Sequence, residues 1–271
     1  MMSGEKKILS TGKQNPTKVT GRKAEISGSG KVRSHRTSIL VLIPAWNEVQ
    51  TIGPIVEAVR IRLPVLVIDD GSTDDTADCA RRAGAEVVSH SVNQGKGAAL
   101  KTGFSWALEK GYKAVITMDA DGQHDPKDLD ELLKAHRDCP VDLIIGEREF
   151  SKMPWPNRIT TPLGSKILSW ALGTRVTDNQ SGFRLLTRTF MERMNLRSNG
   201  YEMEVEMIWE VVRLKRSMAW VPIHTIYFTD RQSGFRPIVD TLLFLRMVWV
   251  IWRERVYRDR QEQKSPERRK T

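Results

Sequence analysis

Ala114-Val115-Ile116-Thr117-Met118-Asp119-Ala120-Asp121-Gly122-Gln123-His124 is an apolar run that ends in two carboxylates. The run is short, unbroken and partly β-branched, which is the pattern of a buried strand. Such a strand delivers Asp119 and Asp121 to its carboxyl end. Two apart, they share a face on an extended chain, and at a turn they converge on one cation. An all-oxygen set suits Mg2+ or Mn2+, metals that usually hold substrate phosphates as well. Gln123 and His124 follow at once as further ligands or as groups that orient one. A bare Asp-x-Asp recurs by chance in many proteins, so its weight rests on the neighbours.

Toward the amino terminus the same motif of apolar run and polar loop repeats. Residues 38–43 read as a buried strand halted by Pro44, and Asn47 and Thr51 bracket a helix start with Ile52, Ile55, Val56 and Val59 on one side. Pro64 introduces a second strand over 65–68, which ends in Asp69-Asp70-Gly71-Ser72-Thr73-Asp74. A helix over about 74–83 stops at Gly84, and a third strand covers 86–89. Asn93-Gln94-Gly95-Lys96-Gly97 precedes a helix with Leu100, Phe104 and Leu108, and the fourth strand spans 112–117. After the acidic run, Asp125-Pro126 opens a helix with Leu129, Leu132 and Leu133, and residues 141–145 form a fifth strand. Strands that are apolar throughout and alternate with helices belong to sheets covered on both faces. The expected fold is α/β, with a mostly parallel central sheet flanked by helices. Functional loops lie at the carboxyl ends of such strands, which here carry Asn47-Glu48, Asp69-Asp70, 93–97 and 119–124.

The second half is less regular. Residues 158–172 read as a helix with Ile159, Leu163, Ile167 and Leu168 along one side, and 178–184 as a polar loop entering a strand. Residues 202–214 read as a helix and 220–227 as a strand. Residues 237–252 are dominated by apolar side chains but include Asp240 and Arg246. At 16 residues this stretch falls short of the roughly 20 that cross a bilayer.

The 271 residues carry a formal net charge of +10, and the excess is terminal. Residues 1–36 hold nine Lys or Arg against two Glu, and residues 253–271 hold eight against four acids. What lies between sums to about −1, so the fold lacks the basic surface of a nucleic-acid-binding domain. Residues 1–36 have no aromatic residue and no apolar period and read as a disordered basic tail. Residues 37–236 read as the folded domain, 237–254 as an amphipathic or apolar helix and 255–271 as a second basic tail. Trp249, Trp252, Arg253 and Arg255 have the makeup of an interfacial anchor, and the competing reading is a terminal helix whose aromatics complete the core. Cys79 and Cys139 form no motif and the first 36 residues contain no apolar leader. The expected compartment is the cytoplasm, with peripheral contact at the cytoplasmic membrane face.

Each polar loop admits two readings. A carboxylate at Asp69 or Asp70 accepts hydrogen bonds from a nucleotide base or ribose, or the segment is an Asp-Gly turn followed by a Ser72 or Asp74 helix cap. Small residues and Lys96 ahead of a helix suit a phosphate or nucleotide edge, although the spacing is not that of a Walker A loop. Arg184 either reaches a phosphate as a bidentate donor or is a surface arginine. Arg231 and Ser233-Gly234-Phe235-Arg236 form a second small basic cluster.

Taken in order, Ile43-Pro44-Ala45-Trp46-Asn47-Glu48, Ile68 to Asp74, Asn93 to Gly97, Met118 to His124 and Ser181-Gly182-Phe183-Arg184 resemble the family 2 glycosyltransferases of GT-A fold. Within that family the chain is similar to the dolichyl-phosphate or polyprenyl-phosphate mannose synthases, over roughly residues 37–240. The resemblance implies an inverting, metal-dependent enzyme. It would move a hexose, mannose or glucose favoured, from a GDP- or UDP-linked donor to a polyprenyl or dolichyl phosphate. It implies that Pro44, Asn47, Glu48 and Asp69 cradle the base and ribose with Asp70 beside them, and that Lys96 closes the nucleotide pocket. It also implies that Asp119, Asp121 and Gln123 hold Mg2+ or Mn2+ and that Arg184 faces phosphate. Asp178 falls near the acidic residue that acts as base in relatives with hydroxyl acceptors. The Gln-x-x-Arg-Trp motif of processive synthases is missing. A phosphate acceptor is already anionic, whereas a sugar or lipid hydroxyl needs a base within reach. The alternatives are a transferase with such a hydroxyl acceptor and a non-catalytic nucleotide-sugar-binding protein.

Overall fold

Strands β1 (Ile39–Ala45), β2 (Val65–Asp69) and β4 (Ala114–Thr117) form where the apolar runs lie, and all of their residues are buried except Ile39. β3 (Glu86–Ser89) carries Glu86 and Ser89 to solvent and closes one edge. The computed structural model describes residues 38–153, 157–226 and 237–264. Between these strands α1 (Ile52–Arg60) buries Ile52, Ile55, Val56 and Val59, the stripe read from the sequence. α2 (Thr76–Ala83) ends at Gly84, whose φ of +98° supplies the left-handed turn that closes a helix. α3 (Lys96–Glu109) lies close on β1: a Cβ on Gly103 would run into the Leu42 side chain. A short 3-10 turn at Pro126–Asp128 leads into α4 (Leu129–Asp138), and Asp125 caps it by accepting from the Lys127 N–H.

The rest of the chain supplies β5 (Leu143–Arg148), α5 (Asn157–Leu172), β6 (Arg184–Thr187), α6 (Arg188–Met191), α7 (Met203–Arg213), β7 (Met218–Ile223) and α8 (Pro237–Lys264). The sheet has the order β3-β2-β1-β4-β6-β5-β7. Every pairing is parallel except those of β6, which runs against both β4 and β5. The expected mostly parallel α/β sheet is therefore present. Because side chains alternate along a strand, Leu40 and Leu42 face one layer of helices while Val41 and Ile43 face the other. The first layer is α3, α5, α7 and α8, and the second is α1, α2 and α4.

Three elements depart from the sequence reading. β7 starts at Met218 and ends at Ile223 rather than covering 220–227. α8 does not stop near residue 254 but continues to Lys264. It is also no appendage, since Val248 and Ile251 are buried in the core, each such side chain contributing about 1.5–3 kcal/mol. On α5, Leu168 is buried as expected, but Ile159 and Leu163 are 52% and 54% exposed. Cys79 and Cys139 are free thiols. The tail over 1–36 and the cluster at Arg231 to Arg236 lie outside the described residues.

Candidate active site

Parallel pairing sets the loops after β1, β2 and β4 on one edge. Ala45 is in register with Asp69, and Leu42 with Thr117. Asn47, Asp69 and Asp119 therefore leave the sheet together, as expected for such folds. Pro44 is buried within β1 opposite Ile68. Asn47 adopts a φ of +54°, a conformation that asparagine tolerates better than most residues. Its Oδ1 accepts from the Thr73 N–H at 2.8 Å and its own N–H donates to Ser72 Oγ at 2.9 Å, which stitches the first two loops together. The Glu48 N–H donates to Thr76 Oγ1 at 2.7 Å, and its Oε2 accepts from Thr51 Oγ1 at 2.9 Å.

The two neighbouring aspartates divide their work. Asp69 accepts from the Ser72 N–H at 3.1 Å. Asp70 accepts from the N–H groups of Gln94 and Gly95, at 3.0 and 2.7 Å, and meets His90 Nδ1 at 2.6 Å. It thus shapes the segment that leads to Lys96. That segment packs tightly on 198–200: the Gly97 N–H donates to the Asn199 carbonyl at 2.7 Å, and a Cβ on Gly97 would lie 2.7 Å from the Asn199 backbone.

The acidic loop is pinned from below. The Asp119 N–H donates to His124 Nδ1 at 3.2 Å, which leaves the imidazole proton on Nε2. His124 is buried and stacks on Phe183 with ring centroids 5.1 Å apart. Gln123 donates its N–H to Asp121 Oδ1 at 2.9 Å and accepts from the Ile226 N–H at 2.9 Å. Lys96, the first residue of α3, places Nζ 2.7 Å from Asp119 Oδ1 and 2.7 Å from Glu204 Oε1. Tyr201 flanks the same ammonium at 5.6 Å. Glu204 belongs to the first turn of α7, is buried, and leaves Oε2 without a partner among the described residues.

The charges balance around Lys96. Burial would lower its pKa, but Asp119 and Glu204 reverse that and raise it above the ordinary lysine range. Burial would raise Asp119, yet Lys96, with help from His124 and Arg148, brings it down to about 2. Asp121 moves the other way: burial raises its pKa, and the Asp119 charge raises it further. Burial lowers the pKa of His124 against the pull of Asp119 and Asp121. Asp121 is thus less well compensated than Asp119, which has the Lys96 ammonium against it. Gly182 leaves room for that pair, because a Cβ there would lie 2.5–2.6 Å from the Asp119 carboxylate oxygens. Among the described residues no three His, Cys, Asp or Glu side chains gather to hold a metal by themselves. The donor set of Asp119 and Asp121 fits Mg2+ or Mn2+ completed by an oxygen such as the Gln123 amide and by ligand phosphates.

Gly182→Ala is expected to displace the Asp119 carboxylate while leaving the sheet intact. A shift of about 1 Å at a reacting centre costs about 100-fold in rate, so kcat should fall that far with little change in Tm. Steady-state kinetics beside a melting curve checks this, and an unchanged kcat would show that Asp119 tolerates the displacement.

Two expected site residues sit differently from the sequence reading. Arg184 does not present its fork to a ligand. It is 1% exposed and donates to the carbonyls of Ser181, Glu204 and Asn179 at 2.7, 2.6 and 3.3 Å. Burial pulls its pKa down to about 10, against the upward pull of Glu204 and Asp178. Its place at the amino end of the reversed strand turns it beneath the site, where it ties loop 179–181 to α7. Asp178 is fully buried and engages Arg148 with both oxygens, at 2.7 and 2.9 Å. Burial would raise its pKa, but the Arg148 bonds and charge lower it, so it is a weak base with its lone pairs committed. Arg184→Lys cannot serve three separated carbonyls. A buried group left unpaired costs about 1–3 kcal/mol, so the variant is expected to lose stability before it loses substrate affinity. Denaturant titration together with KM checks this; full stability with a raised KM would put Arg184 back on a phosphate.

The geometry also contains residues that the sequence reading missed. Glu204, Arg148, His90 and Tyr201 all touch expected site residues. A signal for Glu204 exists. α7 carries Glu204, Glu206 and Glu210 inside an apolar run, a spacing that one solvent-facing stripe cannot accommodate. All three are buried; Glu206 accepts from the Arg197 and Ser198 N–H groups, and Glu210 from Asn195.

The family model described as Glycosyl transferase family 2 matches residues 40–198, the segment that builds this edge of the sheet. The chain belongs to glycosyl transferase family 2. It is 34% identical over 215 residues to an undecaprenyl-phosphate mannosyltransferase of Micrococcus luteus, covering 72% of this chain and 85% of that one. It is 32% identical to a polyprenol monophosphomannose synthase of Mycolicibacterium smegmatis, with 72% and 78% covered. Among solved structures, glucosyl-3-phosphoglycerate synthase from Mycobacterium tuberculosis, crystallised with Mn2+, uridine diphosphate and phosphoglyceric acid, superimposes with a TM-score of 0.63. That match covers 81% of this chain and 78% of the other at 22% identity, and it shows the GT-A fold of this glycosyltransferase.

Proposed function

We propose that this family 2 glycosyltransferase moves a hexose, mannose before glucose, from a nucleoside-diphosphate sugar to a polyprenyl phosphate with inversion at the anomeric carbon. Two relatives at 34% and 32% identity carry mannose and a polyprenyl phosphate or polyprenol in their names, which supports this donor sugar and acceptor. Asp69 would accept from the base or ribose, with the Asn47 and Glu48 loop behind it. Asp119 and Asp121, with Gln123, would hold a divalent cation, which when bound offsets charge on the diphosphate. Lys96 stands beside them at the start of α3, where its ammonium and the helix N–H groups favour an anion. An oxygen of the acceptor phosphate forms the new bond to the anomeric carbon as the bond to the diphosphate breaks. No proton has to leave the acceptor at neutral pH.

The observation that carries the choice of acceptor is Asp178. The carboxylate expected to serve as base toward a hydroxyl has both oxygens on Arg148, an arrangement suited to an acceptor that needs none. Among the described residues no helix is long and apolar enough to cross a membrane. The test incubates the full chain with GDP-mannose, and in parallel with UDP-glucose, a short-chain polyprenyl phosphate and Mn2+ or Mg2+. Mass spectrometry should find the glycosyl phosphate lipid, and chelator should remove it. Nucleoside diphosphate released equally fast with and without the lipid phosphate would discard the acceptor.

A further inference from the structure

The outer sides of α5 and α8 form one apolar surface. On α8, Leu242, Leu245, Trp249 and Trp252 are 38–62% exposed. Their spacing of three, four and three residues lays them on a single stripe, beside the buried Val248 and Ile251. On α5, Ile159, Leu163 and Trp170 are 52–65% exposed along a matching stripe. The two stripes join: Trp170 stacks on Trp252 with ring centroids 6.2 Å apart at 10°, and Arg255 donates to the Trp170 carbonyl at 3.0 Å. Scattered exposed apolar residues need no explanation, but a contiguous patch of this kind marks a contact surface.

Charge selects the partner. Among the described side chains of α5 and α8, the exposed charges are Arg158, Lys166, Arg246 and Arg253 against Glu254 alone. Arg253 lays its guanidinium over the Trp249 ring, with Cζ 4.9 Å from the centroid, which sets positive charge directly against the apolar stripe. Tryptophan and leucine rimmed by arginine and lysine match the depth profile of a bilayer interface. The opposite side of α5 faces the site. Thr161 Oγ1 donates to Gln180 Oε1 at 3.2 Å and Ser165 Oγ to Asn179 Oδ1 at 2.9 Å. Those residues belong to the loop whose Gly182 abuts Asp119.

We infer that the joint outer face of α5 and α8 docks the enzyme on an anionic lipid surface, with α5 standing between the bilayer and the loop that lines the site. The inference rests on the proposed lipid-phosphate acceptor for its purpose, but the surface itself is defined by the exposed side chains. The experiment is co-sedimentation of the full chain with vesicles of phosphatidylglycerol and phosphatidylcholine, and with phosphatidylcholine alone. Wild type should pellet with the anionic vesicles, and brominated lipid should quench its tryptophan emission. Leu245→Ser/Trp249→Ser should lower vesicle affinity by about tenfold or more. Arg246→Glu/Arg253→Glu should abolish the preference for anionic lipid. Equal pelleting of wild type and Leu245→Ser/Trp249→Ser would overturn the face, as would a dimer in sedimentation equilibrium that this variant dissolves. Transfer to a short-chain acceptor dissolved without vesicles separates the two ideas. It should persist in both variants; its loss in wild type that still binds vesicles would discard the acceptor and keep the face.

Discussion

Asp121→Asn should abolish sugar transfer and make the metal-free protein more stable. Under the proposed function Asp121 would help to hold a divalent cation, a role on the scale of an electrostatic transition-state group, so kcat is expected to fall about 10³-fold or more. The stability change has the opposite sign. Burial and the Asp119 charge raise the Asp121 pKa in the folded state, so the folded protein holds that proton more tightly than the unfolded chain. The carboxylate therefore costs stability at every pH above its raised pKa, neutral pH included, and costs nothing below the ordinary value of 3.8. Asparagine keeps an oxygen for the Gln123 N–H and removes the charge. In calorimetry with chelator, the variant should melt above wild type at neutral pH, by ~2–4 °C for each kcal/mol relieved. The gap should close as the buffer is acidified through the carboxylate range. A variant that melts below wild type at neutral pH would refute the repulsion between the two carboxylates.

Lys96→Met carries the second large effect. The ammonium sits between Asp119 and Glu204 at 2.7 Å from each, and removing one member of a buried ion pair costs about 3–5 kcal/mol. The low end, about 3 kcal/mol, applies because Asp119 keeps 24% of its side-chain surface and is partly screened. Asp119 has a folded pKa of about 2 against 3.8 ordinarily. Its share of the stabilisation is present above 3.8 and lost as pH falls toward 2. Denaturant curves should show wild type and variant far apart at neutral pH and converging in acid. Mn2+ with a nucleoside diphosphate should restore part of the loss, since ligand at about 100 times its Kd adds about 2.7 kcal/mol to the folded state. A variant as stable as wild type at neutral pH would remove the ion pair from the account.

What could be read ahead of the fold follows from how far each feature reaches along the chain. The strand ends at Asp69 and Thr117 were legible because a buried strand imposes its hydrophobicity on consecutive residues, and the loop after it is polar by contrast. The α1 stripe was legible for the same local reason. The direction of Arg184 is not legible locally, because it depends on a carbonyl of Glu204, twenty residues on, and on a strand that runs backwards. The pairing of Asp178 is not legible locally, because Arg148, thirty residues earlier, captures both its oxygens. The helical period at Ile159 and Leu163 identified a stripe on α5 but says nothing of what covers it. The glutamate spacing of α7 marks Glu204 as buried, but its partner is not legible, since Lys96 lies more than a hundred residues before it.

The reversed strand also dictates an order of assembly. As the chain leaves the ribosome, β1 to β4 can pair among themselves, since β3-β2-β1-β4 are neighbours in the sheet. The outer edge of β4 then stays bare until Arg184–Thr187 emerges. β5 is made earlier but pairs only with β6 and β7, so it waits without a partner while α5 is synthesised. An unpaired apolar edge is a template for other chains, and contacts that span so much sequence form slowly. A nascent chain cut short between Leu172 and Arg184 holds the loops after β1, β2 and β4 yet exposes the middle of its own sheet, and is expected to aggregate.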